Sequence, residues 1–356
     1  MKKKVGIIGT NGLPAKYGGF ETLTNYLVRD LSKDFDLTVY CSNLNKNERI
    51  KIYNGAQLVH LPFSANGIQG VLYDILSILH AFSSMDVLLI LGSSGTIILP
   101  LNLLFRKKIV FNFGGLDWQR EKWNYIAKKF LKISEAFGVK FSNSTIVDNA
   151  VFAEYVKNHY KIDSTLIEYG GDHVCPQDNK DILVKYGIEF KKYFLSVSRA
   201  QEDNNIHLLL DAFVRTPHFN LVVISNWQTS PYGNDLKNRF SQYRNIKLVD
   251  AVYDQVELDT IRSNANWYIH THSACGSAPS LIEAMYLGLP IIAYDVATNK
   301  STTEGKAVYF GNIEYLMRLL NEIKKYNREE FAVKMKEIAN RRYKWEIISR
   351  KYKELF

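Results

Sequence analysis

The chain has 356 residues, 46% hydrophobic and 23% charged, with a formal net charge of +9 at pH 7. That balance describes an ordinary globular protein and excludes a disordered, collagenous or low-complexity chain, and the length predicts two domains rather than one core. Cys41, Cys175 and Cys275 are odd in number and far apart, with no Cys-x-x-Cys spacing; neither a disulfide framework nor a zinc site is indicated, and a reducing compartment is expected.

Met1-Lys2-Lys3-Lys4 runs straight into Val5–Gly9, too short an apolar segment for a secretory leader. Val5–Gly9 has the form of a buried parallel strand, and the loop after it, from Thr10 to Pro14, does not turn at once into a helix. It continues through Tyr17-Gly18-Gly19-Phe20-Glu21-Thr22, so the Gly-x-Gly-x-x-Gly fingerprint of nicotinamide binding is missing. Gly18 and Gly19 leave room for a ligand to approach the backbone, or simply make a turn.

Strands are then predicted at Leu37–Tyr40, Gln57–Leu61, Val87–Leu91, Lys108–Asn112, Thr145–Asp148 and Thr165–Glu168, alternating with helices at about Gly70–Phe82, Trp123–Val139 and Ala150–His159. The apolar run Val87–Phe105 is broken by Gly92-Ser93-Ser94-Gly95 and holds Pro100, so it reads as strand, loop and buried helix rather than a membrane span. Asn112 and Asp117 flank a loop at the end of one strand, positions suited to a sugar or to a helix cap. The turn-rich segment Tyr169–Asn179 marks a domain junction.

Beyond it the alternation restarts. Strands are predicted at Tyr193–Val197, Leu221–Ile224, Ile246–Val249, Trp267–His270 and Ile291–Tyr294, with helices at His207–Val214, Leu236–Tyr243 and Val256–Asn264. Such repeated units predict two doubly wound parallel-sheet domains facing across a cleft, residues 1–172 and 173–339, with a last helix over Arg341–Phe356 crossing back to the first. Between the strands at Trp267–His270 and Ile291–Tyr294 lies Cys275–Pro290, whose small residues Gly276, Ser277, Pro279 and Ser280 precede a short helix ended by Gly288. Exposed amides at the start of that helix suit a phosphate. Ser280 reads as its N-cap and Glu283 as the third helical residue, and a plain capping box between the two is the competing reading. His270 and His272 lie two apart at a strand end, yet the pattern offers no third metal ligand, so no metal site is expected.

Charge divides unevenly: residues 1–172 carry +5, residues 173–339 are neutral and residues 340–356 carry +4. A basic first domain suggests an anionic surface, and scattered solvated lysines are the alternative. The stretch with Lys122, Trp123, Lys128, Lys129, Phe130, Lys132 and Ile133, like the last helix, is basic and amphipathic, as an interfacial helix would be. The anionic surface could be membrane or nucleic acid; the resemblance described next implies the membrane, with the protein peripheral on its cytoplasmic face and no nucleic acid partner.

Three stretches together resemble the retaining nucleotide-sugar glycosyltransferases of the two-Rossmann-domain GT-B type, the family 4 kind: Tyr17-Gly18-Gly19-Phe20-Glu21-Thr22, Ser196-Val197-Ser198-Arg199, and Pro279-Ser280-Leu281-Ile282-Glu283-Ala284-Met285 with Gly288 and Pro290. The first of these, Asn204-Asn205 and Gly276–Glu283 look most like the bacterial rhamnosyltransferase branch, which builds cell-surface polysaccharides from dTDP-L-rhamnose. The resemblance implies a GT-B fold and metal-independent hexosyl transfer from a dTDP- or UDP-linked sugar to a lipid-linked saccharide, with no further cofactor. Arg199 and Glu283 become the catalytic pair, the first for the departing diphosphate and the second for the ribose hydroxyls. Gly18, Gly19, Asn112, Asp117, Asn204, His272, Gly276, Ser277, Pro279, Ser280 and Leu281 become substrate contacts. The chain departs from the pattern at Asn204, where the wider family has a lysine, and at Ser273, Cys275 and Gly114, where acids are usual. Those departures keep open a non-catalytic sugar-nucleotide-binding subunit, or an epimerase on the same fold.

Overall fold

The computed structural model describes residues 2–15, 18–42, 49–65, 67–120 and 123–356. Tyr17 of the first glycine loop and Lys122 of the basic stretch lie outside the described residues. The chain divides into two units, Met1–Tyr169 with Trp345–Phe356, and Gly170–Lys344.

The first unit runs β1 (Lys4–Ile8), α1 (Gly19–Leu31), β2 (Asp36–Ser42), β3 (Ile52–Tyr53), β4 (Ala56–Leu61), α2 (Gly67–Ser84), β5 (Val87–Leu91), α3 (Asn102–Phe105), β6 (Lys108–Asn112), α4 (Tyr125–Phe141), β7 (Ser144–Val147), α5 (Ala150–Tyr160) and β8 (Thr165–Leu166). Its sheet has the order β3-β4-β2-β1-β5-β6-β7-β8, parallel throughout except for the short β3–β4 pair. Every residue of β5 is buried. Burial on both faces is why these strands appear in the sequence as unbroken apolar runs rather than alternating ones.

Helix α2 is apolar on both its buried and its exposed faces. Its buried face carries Asp74 and Ser77 beside Tyr73, Ile78 and Ala81, while Ile68, Leu72, Leu76 and Leu79 are exposed. The next two helices continue the exposed apolar surface with Leu103, Leu104 and Phe105 of α3 and Tyr125, Ile126 and Ile133 of α4. Phe105 stacks on Phe82 of α2, with ring centroids 4.9 Å apart. Among the described residues no helix is long and apolar enough to cross a membrane.

The second unit contains α6 (Lys180–Lys185), β9 (Tyr193–Val197), α7 (Ile206–Arg215), β10 (Asn220–Ser225), α8 (Pro231–Phe240), β11 (Ile246–Asp250), α9 (Gln255–Ser263), β12 (Trp267–His270), α10 (Pro279–Tyr286), β13 (Ile291–Tyr294), α11 (Ala297–Thr302), β14 (Val308–Phe310), α12 (Ile313–Asn321) and α13 (Arg328–Arg342). Its sheet is wholly parallel, in the order β11-β10-β9-β12-β13-β14. Winding starts at β9, runs outward one way to β11, then returns to β12 and runs the other way. The adjacent carboxyl ends of β9 and β12 are thus the topological switch point, where open α/β sheets take ligands.

The helix expected over Arg341–Phe356 is interrupted. Chain α13 ends at Arg342, Tyr343 leaves helical geometry to bury its ring and donate its hydroxyl to Thr302 O (2.7 Å), and α14 (Trp345–Leu355) begins anew in the first unit. There Trp345 stacks on Tyr26 at 4.3 Å, Tyr352 is buried, and Ser349 donates to Asp30 (2.7 Å).

Candidate functional site

Two loops meet at the switch point of the second unit. The loop after β9 begins at Ser198-Arg199 and closes as a short turn over Glu202–Asn204. The loop after β12 runs from Thr271 to Ala278. They are laced together: Thr271 donates its hydroxyl to Asn204 O, Asn205 Nδ2 donates to Thr271 O (3.0 Å), and Ser273 donates N–H and hydroxyl to Asp203 O (3.1 and 3.0 Å). Asn204 is buried and its amide donates to Arg199 O (2.8 Å). It therefore shapes the turn that presents Arg199. The Arg199 side chain is exposed, and it pairs with neither Glu202 nor Asp203 among the described residues.

Several buried polar atoms at the same sheet edge have no hydrogen-bond partner among the described residues: Ser198 Oγ after β9, Ser225 Oγ at the end of β10, His270 Nε2 at the end of β12 and Asn299 Oδ1 in α11. A buried polar atom without a partner costs about 1–3 kcal/mol. Their concentration where an exposed arginine also stands is the mark of a place built for a polar ligand. His270 is held well below the ordinary histidine range by burial and by the neighbouring His272, so its imidazole is neutral at pH 7.

The helix that follows differs from expectation at its start. Ala278 is the N-cap of α10, Pro279 the first helical residue and Ser280 the second. Proline suits that first position because it has no N–H to leave unsatisfied, and it moves Ser280 one place inside. The Ser280 side chain instead hydrogen-bonds the Tyr268 hydroxyl, and no capping box forms. Leu281 N–H already bonds Ala278 O (3.1 Å), so the first-turn donor left to face a ligand is that of Ser280. Gly276 is half-buried, Ser277 is buried, and the Leu281 side chain is in the core.

Glu283 is buried and doubly held. Its Oε2 accepts from Arg262, which is itself buried, and its Oε1 lies 3.2 Å from His173 Nε2. Burial pushes this carboxyl up, but Arg262 and His173 outweigh burial and hold it below the usual carboxylate range. Behind Arg262 stands buried Asp259 at 3.6 Å, which accepts the Cys175 amide (2.9 Å) and is pushed up by burial. Neither the Arg262–Asp259 support nor His173 is visible in the sequence as part of a site. The i,i+3 spacing of Asp259 and Arg262 on one helix was the available signal.

His272 and Cys275 are half-buried on the second loop, and the His272 carbonyl accepts from Asn299 Nδ2 (3.0 Å). A ligating atom of each of His270, His272 and Cys275 lies within 4.8 Å of the others. The third metal-binding group that strand spacing did not supply is brought in by the loop.

In the first unit, the loop after β1 is closed by Glu21, which is buried at the start of α1. Its Oε1 accepts Asn11 N–H (2.8 Å), Asn11 Nδ2 (2.9 Å) and the Thr10 hydroxyl (3.3 Å). Gly18 precedes α1 at φ 129°, and a Cβ there would stand 1.9 Å from Glu21 Oε2. The glycine is thus required by the carboxylate packed against it, and Gly19 opens the helix. Asn112 is buried and its amide is satisfied internally, donating to the Tyr352 hydroxyl (2.7 Å) and accepting Gly114 N–H (3.1 Å). Asp117 opens a one-turn helix without capping it, its carboxylate 3.9 Å from Arg120. Gly114 has φ 68° and a Cβ there would meet the tip of the Phe20 ring at 2.9 Å, so an acid at this position would strain the backbone and displace that ring.

Residues 178–342 match the family model described as glycosyl transferases group 1, and residues 2–172 match a domain of unknown function, DUF1972. The protein is a glycosyltransferase. Sucrose-phosphate synthase from Thermosynechococcus elongatus superposes on the glycosyltransferase with a TM-score of 0.84 at 15% identity, covering 99% of this chain and 98% of that one. HepE from Anabaena, solved with UDP and glucose, gives 0.79 at 13% identity, with 99% of each chain covered. The catalytic domain of starch synthase IV from Arabidopsis thaliana, bound to ADP and acarbose, gives 0.68 at 13% identity over 99% and 98%. The glycosyltransferase has the GT-B fold, as its two parallel-sheet units and these likenesses establish. No curated protein matches the sequence.

Proposed function

We propose that the second unit binds a nucleoside diphosphate sugar at the β9–β12 switch point and that the enzyme transfers a hexose with retention of configuration. Arg199 carries the reading: it is an exposed guanidinium that pairs with no acid among the described residues, beside buried polar groups that have no partner there either. Charge develops on the diphosphate as the glycosidic bond breaks, and a fixed arginine with a backbone amide such as that of Ser280 stabilises it without a metal. Glu283, ionised and held by Arg262 and His173, offers its remaining lone pairs to ribose hydroxyls. From the rhamnosyltransferase-like motifs we infer dTDP-L-rhamnose as donor; the UDP held by the similar HepE protein supports a UDP-sugar as the second reading.

The acceptor is proposed to be a lipid-linked saccharide, reached on the cytoplasmic face of the membrane. The exposed apolar residues of α2, α3 and α4 support this, because the acidic residues of those helices, Asp74 and Glu135, are both buried. Arg106, Lys129 and Lys132 are exposed beside them. An apolar surface bordered by cations, with no exposed acid among the described residues of these helices, matches an anionic bilayer interface.

Thermal unfolding with dTDP, UDP and GDP tests the donor. One nucleotide should raise the transition, and Arg199→Ala should remove most of that rise. A rise that survives Arg199→Ala, or none with any nucleotide, would exclude this site.

A further inference from the structure

The notable chemistry left over at the carboxyl edge of the second sheet is the group His270, His272 and Cys275. His270 and His272 are two apart and have ring centroids 4.2 Å apart at 46°. Cys275 follows three residues later on the same loop. A ligating atom of each lies within 4.8 Å of the other two. His270 is 1% exposed and its Nε2 has no hydrogen-bond partner, an arrangement that costs stability unless something outside the chain completes it.

We propose that His270, His272 and Cys275 form a binding site for a zinc-class divalent ion. Imidazole and thiolate are the donor set that such ions prefer. Zn–N bonds of about 2.0–2.1 Å and Zn–S bonds of about 2.3 Å place tetrahedral ligand atoms roughly 3.5 Å apart. Binding requires the group to contract to that size from its present spread of up to 4.8 Å. Binding releases the thiol proton to solvent and forms the metal–thiolate bond, with no change of oxidation state. Three protein ligands leave the fourth position to water. The ion ties Cys275 back to the end of β12 and so fixes the loop that leads into α10. It serves as a clamp on that loop and takes no part in the transfer chemistry; the unpartnered His270 Nε2 is then taken by the ion and not by the donor, and the cobalt test below reads the metal without any nucleotide present.

Cobalt(II), a spectroscopic stand-in for zinc, tests it directly on the reduced, metal-stripped full-length protein. One equivalent should give the intense near-ultraviolet thiolate-to-metal band together with the visible bands of a tetrahedral ion, and zinc should displace it. Cys275→Ser should abolish the thiolate band, His272→Ala should weaken binding by more than about tenfold, and Cys175→Ser should bind as the wild type does. Unfolding of each variant without metal checks that it is folded. Absence of the band in the wild type, or an undiminished band in Cys275→Ser, would overturn the site.

Discussion

Glu283, Arg262 and His173 show how much of a site's chemistry lies in side chains that a linear motif does not contain. Removing the cation leaves a buried carboxylate without its main partner, so Arg262→Met should lower stability by about 3–5 kcal/mol, measured by urea unfolding at neutral pH. Glu283→Gln isolates the acid dependence. Burial raises the Glu283 carboxyl and its two partners lower it further than that, so its folded pKa lies below the unfolded one. The stability it supplies is complete above the unfolded pKa and is lost as pH falls through the folded value. The gap in unfolding free energy between wild type and Glu283→Gln should therefore shrink on acidification; a gap independent of pH would show that the carboxylate is not held in this way. Asp259 runs in the opposite sense, because burial raises its pKa and favours the folded state on the acid side. At this scale the sequence places Arg199 and His272 at strand ends, where ligand groups belong. It misplaces the start of α10 by making Ser280 the cap, since Pro279 satisfies the first helical position without any side-chain bond. It also misses the partners of Glu283, which lie 21 and 110 residues away along the chain.

At the scale of elements, the exposed apolar residues of α2, α3 and α4 are what a membrane surface would meet. Leu103→Asp with Leu104→Asp should reduce co-sedimentation with vesicles containing anionic lipid, and the remaining wild-type binding should weaken as salt rises. Equal sedimentation of variant and wild type would remove these helices from the interface. The attachment of α14 can be probed through Tyr352→Phe, which strips the buried Asn112 amide of its acceptor and should cost about 1–3 kcal/mol. A loss below that range would mean that water replaces the hydroxyl. Parallel strands were legible because burial on both faces leaves each as a compact apolar run, as in Val87–Leu91. The elements between Ala297 and Arg342 were not assigned. Strand β14 has three residues, and α13 buries Met335, Ile338 and Ala339 amid a largely charged sequence, so neither displays a sustained period. The break at Tyr343 was hidden because its aromatic ring fits the helical spacing of the residues after it.

For the molecule as a whole, the doubled α/β winding is the property most securely written in the sequence, since the order of strands and helices restricts the connections that can be made. Both sheets follow the same outward-and-back path from their first strand, with β3 and β8 added at the edges of the first. The loops at each switch point were harder to foresee, because their geometry comes from contacts such as Glu21 with Asn11 and Asn205 with Thr271 that join separate stretches of chain.

Helix α14 also dictates an order of events at the ribosome. Tyr26 and Asn112 emerge early, yet their partners Trp345 and Tyr352 are translated only after every strand of the other sheet. The nascent amino-terminal half must wait with a vacant seam while all of Gly170–Lys344 is translated. A nonsense codon after Lys344 would release a product whose later half is intact and whose earlier half is missing its closing piece, a natural target for quality-control proteases.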